Sequence, residues 1–172
     1  MNAHQRDFRA PLPSAIEAEQ ALLGAIMVNN EAYWTVAGFL KPTHFREELH
    51  RLIYETAGTM ISQGRAVNPV TLKAYLPVGE MIGEMTVMEY VVKVASEAVT
   101  VINAYDYGRA IMEMWARLRL ISLAEDIDAL ARNMPVDMNP EKIVIEAAEE
   151  AYQKAAKQRY GAEMISAARS IP

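Results

Sequence analysis

His50 closes the run Glu47-Glu48-Leu49-His50, which contains a Glu-x-x-His. Carboxylate-bridged di-iron bundles use this spacing to hold metal from one helix, and they need a second copy from another helix. The other two histidines, His4 and His44, supply no second copy. His50 therefore reads as an ordinary half-exposed helix histidine, and no metal site is expected. The chain has no cysteine, which removes disulfides, thiolate ligands and Cys nucleophiles together and fits a cytoplasmic protein. No serine stands in a nucleophile-elbow context. Without a Gly-Lys pair there is no P-loop, and Gly79 and Gly83 follow no strand, so the dinucleotide fingerprint is absent too. No catalytic residue, metal ligand or cofactor-binding residue is assigned.

Charge narrows the partners. Lys and Arg total 17 against 22 for Asp and Glu, a net charge of -5. A domain that grips nucleic acid through phosphates carries a basic excess or a basic stripe, so little or no direct DNA binding is expected. Lys154, Lys157, Arg159 and Arg169 are spread out and read as a solvated face. No apolar run approaches the roughly 18 residues of a membrane span, so no membrane contact is expected. At 172 residues and 52% apolar composition, the chain suffices for one cored domain or one plus an appendage. Eleven methionines at helical spacing read as core or interface filler.

The elements that carry these residues are helices. Residues 1–13 end in Pro11-Leu12-Pro13 and read as a loose N-terminal arm. Ser14-Ala15-Ile16-Glu17 has the form of a capping box opening a helix with Ile16, Leu22, Leu23, Ile26 and Met27 on its apolar side. A second helix over about 31–40 stops before Lys41-Pro42. A third runs from about Phe45 to Gln63, with Leu49, Leu52, Ile53, Met60 and Ile61 inward and Gly64 beyond its end. Asn68-Pro69 caps a short helix that Leu76-Pro77 closes. Gly79 and Gly83 mark a loop before a helix at about 86–97. Asn139-Pro140 opens a last helix to Tyr160. No segment alternates with period two long enough for a strand, so the class is all-α.

The longest helical pattern, about 103–132, carries two apolar stripes on nearly opposite sides. Tyr107, Ile111, Met114, Leu118 and Ile121 form one; Ala116, Leu120, Leu123, Ile127, Leu130 and Met134 form the other. A surface helix needs only one. Two stripes leave two readings open: a central helix buried in one monomer, or a projecting hairpin of 103–132 with 139–160 whose outer face pairs with another subunit. Ala147, Ala148, Ala151, Ala155 and Ala156 would let the second arm pack closely.

The run Pro11-Leu-Pro-Ser-Ala-Ile-Glu-Ala-Glu-Gln-Ala-Leu-Leu-Gly24 resembles the opening of the N-terminal domain of bacterial replicative DNA helicases of the DnaB type. The resemblance continues through Phe45, His50-x-x-Ile53-Tyr54, Gly64, Val70-Thr71-Leu72, Glu89-Tyr90-Val91, Asn103-Ala104-Tyr105, Tyr107, Arg109 and the Pro140 helix. It covers about 11–160. Ala15 is inserted before Ile-Glu, Thr86-Val87 replaces a glycine pair common in the family, and Val99 replaces a proline, which marks a diverged member.

This resemblance implies a globular helical bundle, 14–102, followed by a projecting helical hairpin for subunit pairing, 103–160. Residues 161–172 would start a linker to a motor domain absent from this sequence. In the family, hairpins pair so that the six-subunit ring carries a collar built as a trimer of dimers, and the collar docks the C-terminal domain of primase. A helicase loader is a further implied partner. Glu17, Tyr90, Ile121 and Ile127 match the family's primase-facing residues; two isoleucines and a tyrosine suit apolar anchoring, and a carboxylate at a helix start suits a basic partner. Ile111, Met114, Leu118, Leu120, Leu123 and Leu130 are the candidate subunit-interface residues. ATP and Mg are expected only in the absent motor domain, so the chain itself is read as non-enzymatic. The alternative is a free-standing helical regulator that binds a helicase or primase without joining the ring.

Overall fold

A computed structural model of the chain describes residues 15–98, 103–133, 139, 144–146 and 148–149. The expected N-terminal arm and linker lie outside the described residues, as does most of the helix from Pro140. Within that helix, 144–146 and 148–149 are helical. The chain divides into two units at Arg117/Leu118.

In the first unit the central element is α1 (Ile16–Val28), whose residues 22–27 are all buried. It starts later than the capping box predicts. Ala15 holds the cap position with no side-chain cap hydrogen bond, because its methyl group has no oxygen to offer. Next, α2 (Glu31–Val36) ends short of the expected residue 40, and the chain turns through Gly38 so that Leu40 N donates to Val36 O at 2.8 Å. A 3-10 turn at Pro42–His44 and an extended Phe45 delay α3 (Glu48–Ser62) past its expected start. Its end is as read: Gly64, at φ 70, bonds Ile61 O while Arg65 N bonds Met60 O, both at 2.9 Å. This paired closure satisfies the last carbonyls and needs a left-handed residue.

Asn68 caps α4 (Pro69–Leu72) by accepting from Val70 N at 2.9 Å and Thr71 N at 3.0 Å, with Pro69 at the first helical position. The expected loop at 79–83 contains two short antiparallel strands, β1 (Met81–Ile82) and β2 (Met85–Thr86), joined across Gly83-Glu84 with Gly83 at φ 60. Two residues per strand are too few for an alternation to show in sequence. A complete capping box then opens α5 (Val87–Ser96): Thr86 Oγ1 accepts from Glu89 N at 3.2 Å, and Glu89 Oε2 accepts from Thr86 N at 2.8 Å. The long helix α6 spans Ala104–Arg132, as its pattern predicts.

The first unit's core gathers Leu22, Ile26, Val36, Phe45, Ile53, Tyr54, Leu72, Val91 and Ile111. Tyr54 lies against Phe45 and Tyr33, with ring centroids 4.8 and 5.4 Å apart. Glycine permits close approach where α1 meets α5, since a Cβ on Gly24 would lie 2.5 Å from Val94 O, and again at Gly108, where one would lie 2.7 Å from Val36.

Candidate interaction site

Three helices of the first unit bring four polar side chains together. Glu19 and Gln20 come from α1, His50 from α3 and Tyr90 from α5. Glu19 precedes Leu22, Leu23 and Ile26 by three, four and seven residues, so it sits on the helix's apolar face. His50 stands in the same relation to Ile53, Tyr54 and Ala57 on α3. Both are enclosed, Glu19 at 2% exposure and His50 at 1%. The expected half-exposed histidine is thus a core histidine, because the stripe that carries it faces α1 and α5.

Burial of such groups requires partners, and each has them. Glu19 Oε1 accepts from Arg46 N at 2.7 Å, and Oε2 lies 2.7 Å from His50 Nδ1. His50 Nε2 lies 2.6 Å from the Tyr90 hydroxyl, which also accepts from Gln20 Nε2 at 2.8 Å. A carboxylate only accepts, so the hydrogen on His50 Nδ1 points to Glu19. In the neutral ring Nε2 is then the acceptor, and Tyr90 O–H donates to it. The His50 and Tyr90 rings are stacked, 15° apart in plane. Burial pushes the Tyr90 hydroxyl's pKa up, Gln20 offsets part of this, and the carboxylates of Glu47, Glu19 and Glu97 add to the rise. Carboxylate, imidazole and hydroxyl in series form a relay. Its inner members are sealed, and the hydroxyl is bonded within the protein to His50 and Gln20. The arrangement fastens three helices and holds Tyr90 at their outer edge. Among the described residues, no three His, Cys, Asp or Glu side chains converge as a metal would require.

The candidate docking residues fall in both units. Glu17 is exposed on α1, three residues before Gln20 and so on the same face, and Tyr90 is half-buried beside Gln20. Ile121 is half-buried and Ile127 is 42% exposed, both on the part of α6 in the second unit. Of the candidate seam residues, Ile111 is 1% exposed and belongs to the core of the first unit. A side chain so enclosed meets no second subunit, and Ile111 leaves the set. Met114, Leu118 and Leu123 are half-buried, and Leu120 is 67% exposed. The Leu130 side chain lies outside the described residues. The stripes thus differ in cover: Tyr107 through Ile121 are all at least half-buried, whereas Ala116, Leu120 and Ile127 are open. Glu19 and Gln20 were missed in sequence as site residues. The signal that could have found Glu19 was a carboxylate on an apolar helix face.

Comparison with known proteins places this architecture. The family model described as the DnaB-like helicase N terminal domain matches residues 11–113. The chain belongs to this family. The replicative DNA helicase DnaB of Rickettsia conorii is 33% identical over 146 residues, covering 85% of this chain and 30% of the helicase. The chain thus spans about 30% of the length of that curated relative. The crystal structure of the DnaB helicase N-terminal domain from Mycobacterium tuberculosis shares the fold with a TM-score of 0.67 at 22% identity, covering 84% of this chain and 99% of that one. The Helicobacter pylori DnaB N-terminal domain, described with its interactions with primase, has a TM-score of 0.58 at 20% identity, covering 69% of this chain and 93% of that one. As a DnaB-like N-terminal domain, the chain shares a helical fold with these two domains, with a minimal β-hairpin its only strands among the described residues. No helix among the described residues is long and apolar enough to cross a membrane.

Proposed function

We propose that this chain is the collar module of a replicative DNA helicase: it pairs subunits through α6 and its following helix, and docks the C-terminal domain of primase. The observation that carries the reading is membership of the DnaB N-terminal family by a chain whose α6 has a second apolar stripe left open at Leu120 and Ile127. A long helix that keeps large apolar side chains in water gains by burying them in a partner, at about 25 cal/mol per Å². The primase interactions described for the Helicobacter pylori domain support the second role. Glu17 and Tyr90 form the part of the docking face that lies in the first unit. Unwinding with ATP and Mg would belong to a motor domain, since no Gly-Lys pair exists here to cradle a phosphate. The chain itself is proposed to be non-enzymatic and to act in the cytoplasm, with a helicase loader as a further partner and no direct DNA binding.

The test is calorimetric titration of the chain with the C-terminal domain of primase from the same source. Saturable binding, weakened at least about ten-fold by Tyr90→Ala or Ile127→Ala, supports docking. No binding at high concentration, with a folded and associated chain, would reduce the function to subunit pairing.

A further inference from the structure

Tyr90 has little freedom in what it can offer a partner. Its hydroxyl lies 2.6 Å from His50 Nε2 and its oxygen accepts from Gln20 Nε2 at 2.8 Å. Behind it, His50 Nδ1 is held by Glu19, whose other oxygen is held by the Arg46 backbone amide. The chain of bonds runs inward from a half-buried side chain on α5 to two side chains at 2% and 1% exposure on α1 and α3. Subunit packing needs none of this, and an aliphatic side chain at position 50 would fill the same space without demanding a carboxylate opposite it. What the polar chain adds over an apolar filler is direction: it fixes the imidazole plane, and the plane fixes where the tyrosine hydroxyl must point.

We infer that Glu19 and His50 are positioning residues for partner docking, holding the Tyr90 hydroxyl inward so that a partner meets the tyrosine through an apolar contact with its ring. The inference rests on the docking role proposed above. The partner group that fits is an aliphatic or aromatic side chain, because the hydroxyl is already bonded to His50 and Gln20.

Two substitutions at one position separate positioning from mere packing. In His50→Asn the carboxamide lies near the Nδ1 position, so it keeps a donor for Glu19 and loses Tyr90. In His50→Gln it reaches towards the Nε2 position, so it keeps an acceptor for Tyr90 and loses Glu19. Each variant breaks one buried bond, and melting curves check that the two are comparably stable. The readouts are affinity for the C-terminal domain of primase and the nuclear Overhauser effects between the Tyr90 ring and α3 in the free chain. The positioning role requires that His50→Asn weaken binding about ten-fold and weaken the ring's Overhauser effects, that Tyr90→Phe behave likewise, and that His50→Gln restore most of both. Equal decreases in His50→Asn and His50→Gln, following stability, overturn it. If the wild-type chain binds no primase domain, the docking role falls. The ring's Overhauser effects still decide the positioning claim: an unchanged pattern in His50→Asn refutes it, and a pattern that disappears there but persists in His50→Gln sustains it.

Discussion

At the scale of single residues, Glu19 carries the largest demand. Its two oxygens, on a side chain 2% exposed, serve the Arg46 amide and His50 Nδ1. Glu19→Ala deprives both donors of their acceptor, and the buried His50, left without one, costs about 1–3 kcal/mol. Urea unfolding should show a loss of a few kcal/mol, whereas Glu84→Ala on the exposed turn should move the midpoint little; equal effects would contradict the network's weight. The tyrosines give a second expectation. Burial raises the hydroxyl pKa of Tyr33, Tyr54 and Tyr90, most strongly for Tyr54, which also feels Tyr33. An unfolded tyrosine ionises near pH 10, while the folded side chains stay protonated beyond it, so above that pH the unfolded state binds fewer protons. Their stabilising contribution is complete below about pH 10 and is lost as pH rises through the folded values. Alkaline titration of stability should fall from that point, and Tyr54→Phe should flatten the fall. These residue environments were only partly legible in sequence. Glu19 and His50 both sit on helix faces otherwise apolar, yet their meeting spans 31 positions, and no local pattern encodes that distance.

Helices and turns were far more legible, because the signals that set them are local. The Asn68-Pro69 cap, the Gly64 stop and the run of α6 follow from side-chain chemistry within four residues. Where local rules competed, boundaries moved: α1 begins at Ile16 with Ala15 at its cap position, and the 3-10 turn at 42–44 with the extended Phe45 after it held back the start of α3 to Glu48. The Thr86-Val87 departure from the family's glycine pair has a clear consequence, since Thr86 gives α5 a full capping box. Thr86→Ala should cost about 1 kcal/mol, read as a lower melting midpoint. The docking of α1 on α5 is tested at Gly24, where a Cβ would meet the Val94 carbonyl oxygen at 2.5 Å and the Ala98 Cβ at 3.1 Å. Alanine would gain up to about 1 kcal/mol in helix propensity and lose about 1–3 to the clash, so Gly24→Ala should destabilise. Gly38→Ala meets nothing within 4 Å and should be neutral or mildly stabilising. A melt in which the two glycines responded alike would show that α1 and α5 have room to separate.

The whole molecule holds more apolar surface on α6 than its first unit consumes. Ile111 closes the core of that unit, and the stripe it belongs to is covered, whereas Leu120 and Ile127 remain in water on the other. One helix with one satisfied and one unsatisfied stripe is what a subunit seam requires; the two stripes follow from the spacing alone, but that one of them stays open, and which, needed the structure, because burial of Ile111 depends on packing against helices far away in sequence. Association through that surface should follow mass action, so light scattering over a wide concentration range should show a mass rising from monomer towards dimer. Leu120→Glu would carry a charge into the seam, and an unpaired charge buried there is costly. The variant should stay monomeric at concentrations where the wild type pairs, and its first-unit unfolding should be unchanged, because the Leu120 side chain is already 67% exposed. A variant that pairs as well as the wild type would move the seam to the stripe through Met114 and Leu118. A wild type that stays monomeric throughout would count against the seam on α6.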